Sequence, residues 1–156
     1  MTRFRAAKLA VGLIVLAVAA SGIWQMYAHK NYGIDTVLGP GVTRVGMLSD
    51  YHASLKRTAG DTRVFVLEGR APGATMLVFG GTHSDEVAAS INALILIENA
   101  VVEQGTLIVV PMINNSGSRT TRPGEGQPLY FSVPTEWGEK TFRLGSRSTS
   151  QAHQWP

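Results

Sequence analysis

The hydrophobic pattern divides the chain into three. Residues 9–28, LAVGLIVLAVAASGIWQMYA, carry no charge. At ~1.5 Å per residue a helix of that length spans the ~30 Å hydrocarbon layer of a bilayer. Its lack of a polar face weighs against a soluble core helix. The second part runs from Arg63 to Asn114. Arg63–Gly69 and Thr75–Gly80 are rich in Val, Phe and Leu and predict strands. The unbroken apolar run of the second predicts burial on both faces. With a turn over Arg70–Ala74 between them, the two are expected to pair as an antiparallel hairpin. A helix is predicted from about Glu86 to Glu103, capped by Ser84 or Asp85 and stopped by Gly105. Ile91, Leu94, Ile95, Ile97, Val101 and Val102 make most of its circumference apolar, which predicts deep burial. Thr106–Ile113 is a further apolar strand. Strand, helix and strand predict a βαβ unit with parallel strands and a right-handed crossover. In the third part, after Asn114, the pattern fades into Gly, Pro, Ser, Thr and Arg, and no strong element is predicted.

Between the first two parts, residues 31–62 read as a linker or N-terminal segment. Gly39-Pro40-Gly41 is a turn signal. A short helix is predicted from Ser49 to Arg57, with Ser49 or Asp50 as N-cap and His52 as a surface residue.

Charge sharpens the reading of the N-terminus. The formal net charge is +3, but Arg3, Arg5, Lys8 and Lys30 fall in the first 30 residues, which hold no acidic residue. That leaves 10 of the 14 basic residues against all 11 acidic ones in the rest of the chain. A nucleic-acid-binding face would need an excess of basic residues there, so no nucleic-acid partner is expected. Arg3, Arg5 and Lys8 precede the apolar run and place the N-terminus in the cytoplasm. Trp24 and Tyr27 sit at its far end, where interfacial aromatics belong. Residues 1–30 therefore read as a cytoplasmic basic end and transmembrane anchor. The alternative is a cleaved signal peptide with Ala17-Val18-Ala19 as its site. Either places the rest of the chain outside the cytoplasm, at a membrane in the first case. The 44% hydrophobic and 16% charged composition predicts a packed domain.

Chemistry is concentrated at Gly80-Gly81-Thr82-His83-Ser84-Asp85-Glu86. There are no cysteines, so any metal site must use His, Asp or Glu. His83 and Glu86 are three apart at a helix start, where both can face one side. An imidazole and a carboxylate are suitable Zn2+ ligands, and a His2Glu set with an open position is a catalytic arrangement. Gly80 and Gly81 allow a sharp backbone turn. The plainer reading makes Glu86 a complement to the helix dipole and His83 a loop residue. Asn114-Asn115-Ser116 follows the other parallel strand, and ligand sites in such sheets lie beyond the carboxyl ends of the strands. Asp61, Glu68, Glu125 and Glu136 read as solvated carboxylates. Trp137 and Trp155 would line a cleft or close a core.

The block from Thr75 to Asn115, with GGTHSDE, the apolar helix and GTLIVVPMINN, resembles the zinc-dependent deacylases of the succinylglutamate desuccinylase/aspartoacylase family, relatives of the zinc carboxypeptidases. The family motif is GxHGxE, and Ser84 stands where Gly is common. The resemblance implies a partial three-layer α/β fold of the zinc-carboxypeptidase type, with a mixed sheet made of the antiparallel hairpin and then the βαβ unit, after the N-terminal transmembrane helix. It makes residues 63–156 the N-terminal part of such a domain. It implies Zn2+ held by His83 and Glu86 and by a later histidine. His153, the only downstream histidine, comes too early and in a loop-like setting. The family's catalytic glutamate and its Asn-Arg pair have no match before Pro156. One of Arg119 and Arg122, with Arg122 preferred, is the candidate match to the arginine that polarises the substrate carbonyl or binds its carboxylate; the plainer reading makes both solvated loop arginines. Asn114, beside the sheet edge that carries His83 and Glu86, is a further substrate-binding candidate. The implied reaction is hydrolysis of an amide bond in a small N-acyl amino acid or peptide. The alternatives are a catalytically incomplete, membrane-anchored binding module and a truncated gene product.

Overall fold

The computed structural model describes residues 2–119 and 130–145, in two compact units, Met1–Tyr32 and Gly33–Pro156. The first is a single helix, α1 (Thr2–Asn31). Its stretch Phe4–Asn31 is long and apolar enough to cross a membrane. Leu13, Ile14, Leu16 and Ile23 stand exposed on it, with no polar stripe to separate a wet face from a dry one. Trp24 and Tyr27 lie with ring centroids 6.0 Å apart.

The second unit is mixed α/β. Its sheet holds β1 (Arg44–Met47), β2 (Arg63–Glu68), β3 (Ala71–Phe79) and β4 (Gln104–Val110), in the order β1-β2-β4-β3. The parallel pair predicted around the helix is present: β3 and β4 run parallel, with Val78 beside Val109. The predicted hairpin of the two preceding strands is not. β4 lies between them, antiparallel to β2, with Phe65 opposite Val109.

The local bonds explain this. Leaving β2, Gly69 N donates to Gly105 O (2.8 Å) and Arg70 N to Glu103 O (3.0 Å). The chain thus stays bonded to the start of β4, crosses it, and enters β3 on the far side. Only a glycine at 105 permits this, because it has φ +82 and a Cβ there would lie 2.2 Å from Ala74 O. The segment 71–74, expected as a turn, is instead the start of β3, with a register shift between Ala71 and Thr75. As an edge strand β3 is also not buried. Met76, Leu77 and Phe79 are 64%, 52% and 50% exposed.

The segment 33–62 belongs to this unit and contributes β1, which pairs antiparallel with β2. The single helix predicted at 49–57 is replaced by two 3-10 turns, Leu48–Asp50 and Ala53–Leu55. Leu48 N bonds to Thr62 O and Ser49 N to Asp61 Oδ1. Those bonds draw the segment against 61–62 and leave no room for an α-helical ladder. Met47 is the first turn's N-cap, in place of Ser49 or Asp50.

α2 (Val87–Asn99) has 13 residues, fewer than expected. It ends where Ala100 turns extended, and Gly105 lies inside β4 rather than at a helix terminus. It is also one-sided. Ala93, Leu94 and Ile97 are buried, whereas Ile95 is half exposed. The buried side packs with Phe65, Leu67, Leu107 and Val109 to form the main core. A smaller cluster of Val64, Val66 and Val110 lies apart from it.

Three elements follow where none was predicted. α3 (Asn115–Ser118) is a single turn. β5 (Tyr130–Thr135) and β6 (Gly138–Arg143) form an antiparallel hairpin around Glu136-Trp137, with Gly138 at φ +101. Phe142 of β6 enters the main core, 1% exposed.

Candidate functional site

The carboxyl ends of β3 and β4 stay bonded past the strands themselves. Gly80 N donates to Val110 O (2.8 Å), Ile113 N to Gly80 O (2.9 Å) and Asn114 N to Gly81 O (3.2 Å). The glycine pair is dictated by crowding. A Cβ on Gly80 would lie 2.7 Å from Pro111 O and 2.8 Å from Ala89 O. Gly81 has φ +62, and a Cβ there would meet Met112 Sδ at 2.5 Å and Ser90 Oγ at 2.8 Å. The backbone therefore turns sharply out of β3 with both flanks fixed, and residues 82–86 emerge at the sheet's end.

On that loop His83 Nδ1 and Glu86 Oε1 are 3.1 Å apart. Their side chains are 40% and 54% exposed, so solvent ions can reach both. A tight turn, Glu86 N to His83 O (3.1 Å), brings them together. Glu86, not Ser84 or Asp85, occupies the N-cap of α2, and its side chain makes no cap bond. The helix start is free of capping there, and Glu86's carboxylate meets the imidazole instead. Ser84 is withdrawn into the interior, 1% exposed.

At that distance the two side chains are hydrogen-bonded to each other, and the spacing can be set beside that of two metal ligands. Two ligand atoms each ~2.0–2.1 Å from a tetrahedral Zn2+ lie roughly 3.3 Å apart. Nδ1 and Oε1 at 3.1 Å are close to that spacing. Among the described residues no group of three or more His, Cys, Asp or Glu could hold a metal ion. His153 and Arg122 lie outside the described residues, as do Glu125 and Trp155.

Asn114 is a brace. Its Nδ2 donates to Thr82 O (3.2 Å), and its Oδ1 accepts from Gly117 N (3.0 Å) as the N-cap of α3. It ties the His83 loop to the segment after β4. Of the carboxylates considered, Asp61 accepts from Ser49 N (3.0 Å) and is a turn residue. Glu68 is exposed.

Comparison with protein-family models, curated proteins and solved structures found no match.

Arg119 closes α3, its N–H donating to Gly117 O and Ser116 O. Its Nε is buried with no hydrogen-bond partner among the described residues, and burial lowers its pKa. Against α3 lies Arg143 of β6, which sequence reading passed over. Arg143 is 4% exposed, and its Nη2 donates to Asn115 Oδ1 (3.1 Å) and Ser118 Oγ (2.9 Å). Burial first, and then the charge of Arg119, push its pKa down to about 10, against an opposing influence from Tyr130.

A second buried charge was equally invisible. Lys140 of β6 is paired with Glu98 of α2, and both are nearly sealed from solvent. They lie in a groove of about 600 Å3 between α2 and the hairpin, lined by Ile91, Ile95, Val133 and Trp137. Trp137 thus lines a cleft.

Proposed function

We propose that this chain carries part of a zinc-dependent amidohydrolase of the deacylase or carboxypeptidase type, with a zinc-carboxypeptidase-like arrangement of its sheet. It is held at a membrane by α1, with the second unit on the extracytoplasmic side. The observation that carries the reading is the 3.1 Å approach of His83 Nδ1 to Glu86 Oε1 at the carboxyl end of β3. The parallel pairing of β3 and β4 supports it, because ligands in such sheets sit beyond the carboxyl ends of the strands. The uncharged stretch of α1 behind Arg3, Arg5 and Lys8 supports the orientation.

In this reading His83 and Glu86 would be the residues that hold the ion. The loop that carries them is fixed by Gly80, Gly81 and the Asn114 brace, so the two donors are positioned before the ion arrives. Zn2+ held there would lower the pKa of a bound water toward ~7 and polarise a substrate carbonyl. The substrate is a small N-acyl amino acid or peptide, and the products are a carboxylic acid and an amine. A second reading, a membrane-anchored binding module without turnover, is favoured by the two-residue donor set among the described residues.

Zinc titration of the full chain in mild detergent, followed by calorimetry, tests the metal. Wild type is expected to take up Zn2+ and His83→Ala to lose at least about tenfold in affinity. Equal uptake by both, or none by either, overturns the proposal. Hydrolysis of N-acyl amino acids by the zinc-loaded chain would rule out the binding module without turnover.

A further inference from the structure

We infer that the outer edge of β3 is the interface of a reversible homodimer, in which residues 75–79 of two copies pair antiparallel about a two-fold axis. The interface uses neither His83 nor Glu86 and does not depend on the metal proposal.

β3 closes one side of the sheet, and among the described residues it pairs only with β4. Its outer edge presents a row of backbone N–H and C=O groups. The other edge strand, β1, has four residues and carries Arg44. β3 has nine residues, none of them charged. Its first part is blunted by Pro72 and by the register shift between Ala71 and Thr75. Its second part, Thr75-Met76-Leu77-Val78-Phe79, pairs regularly with β4 and has no such guard.

The exposed side chains define the partner. Successive side chains of a strand point to opposite faces of the sheet. Val78 packs against the main core with α2, so Met76 shares that face and Leu77 and Phe79 lie on the other. Met76, Leu77 and Phe79 are all at least half exposed. A helix or loop laid on the sheet would cover one of these faces. A strand placed alongside β3 shields both and also takes up the backbone groups of the edge. A second copy supplies such a strand. About a two-fold axis at Leu77, each Leu77 faces its twin, Met76 faces Val78, and Thr75 faces Phe79. Every pair is uncharged, so self-pairing sets no like charges opposite each other. Five residues at ~3.4 Å each give a contact roughly 17 Å long. That is small beside the interfaces of permanent dimers, so the pairing dissociates on dilution.

The chain has no cysteine, so a single introduced cysteine reports the pairing directly. The test is mild oxidation of the full chain in detergent, together with sedimentation velocity over a concentration series. Residues directly opposite each other in an antiparallel pair have Cα atoms ~4.5–5.5 Å apart, a span that a disulfide bridges. Leu77→Cys is therefore expected to cross-link into a dimer. Ile95→Cys, equally exposed but on α2, is expected to remain monomeric. Leu77→Lys and Leu77→Glu are each expected to weaken self-association at least about tenfold, because like charges then meet across the axis. An equal mixture of the two is expected to restore it, because opposite charges then meet. A wild type that is monomeric at every concentration overturns the inference. If the cysteine of Leu77→Cys in that monomer also resists a thiol reagent, a segment of the same chain covers the edge instead. Self-association undiminished in both charged variants overturns the inference as well, and places the contact elsewhere. Should a charged variant fail to fold, the cysteines decide: Ile95→Cys cross-linking as readily as Leu77→Cys overturns it. None of these outcomes bears on the zinc titration of His83→Ala, so the two proposals fail separately.

Discussion

Replacing Lys140 by Met tests whether the β5–β6 hairpin is docked on α2. Lys140 is 6% exposed and Glu98 7%, and they form an ion pair. Around them are Ile91, Leu94, Val133 and Phe142, so little water remains to solvate either charge. An exposed ion pair contributes about 0.2–1 kcal/mol. A desolvated pair behaves differently: removing one partner strands the other charge and costs about 3–5 kcal/mol. Lys140→Met is similar in length and keeps the apolar contacts of the stem, so the loss isolates the stranded Glu98 carboxylate. For a unit of this size the cost corresponds to a fall in Tm of roughly 10 °C or more. Removing both charges, as Glu98→Leu with Lys140→Met, is expected to restore stability to near wild type or above, because the desolvation cost disappears with the pair. The assay is urea unfolding of the full chain in mild detergent, followed by near-ultraviolet circular dichroism. A single-variant cost below about 1 kcal/mol would place the pair in solvent and refute the docking of the hairpin. A double variant as unstable as the single one would show that packing, rather than charge, was lost.

Two further outcomes follow from the backbone and from the sheet edge. Gly81→Ala forces a side chain into a left-handed position and against Met112, so it is expected to cost about 1–3 kcal/mol in the same unfolding assay. Zinc uptake should fall with it, because the turn that presents His83 is disturbed; full stability would contradict the crowding described at β3's exit. Leu77→Lys, on the exposed edge strand β3, is expected to change stability by no more than about 0.5 kcal/mol. It should also reduce self-association in sedimentation velocity, since a lysine discourages edge-to-edge pairing.

What could be read from the sequence, and what could not, follows from where side chains are apolar. The parallel pair, the helix between them and the His83–Glu86 junction were legible because apolar runs and the glycine pair mark them locally. Strand pairing was not, since adjacency in the chain does not decide which strand inserts between two others. Here Gly69, Arg70 and Gly105 decide it, through backbone bonds and one positive φ that no hydrophobic pattern records. The burial of β3 was misjudged for a related reason: an apolar run shows that a strand can be covered on both faces, but not what covers it.

The hairpin was missed for a chemical reason. On β6 the buried positions include Lys140 and Arg143 beside Phe142. Charged residues at inward positions erase the alternation by which a half-buried strand is recognised, so the segment looked like polar loop. The same substitution of charge for apolar side chain created both the Glu98–Lys140 pair and the bonds of Arg143 to Asn115 and Ser118. A consistent sequence would place Val or Leu there at lower desolvation cost. Between the two, Lys140 has a carboxylate opposite it and needs nothing more to account for its burial. Arg143 is held by Asn115 Oδ1 and Ser118 Oγ, which tie the end of β6 to α3. The departure from hydrophobic patterning is therefore structural at both: Lys140 docks the hairpin on α2, and Arg143 bonds it to α3.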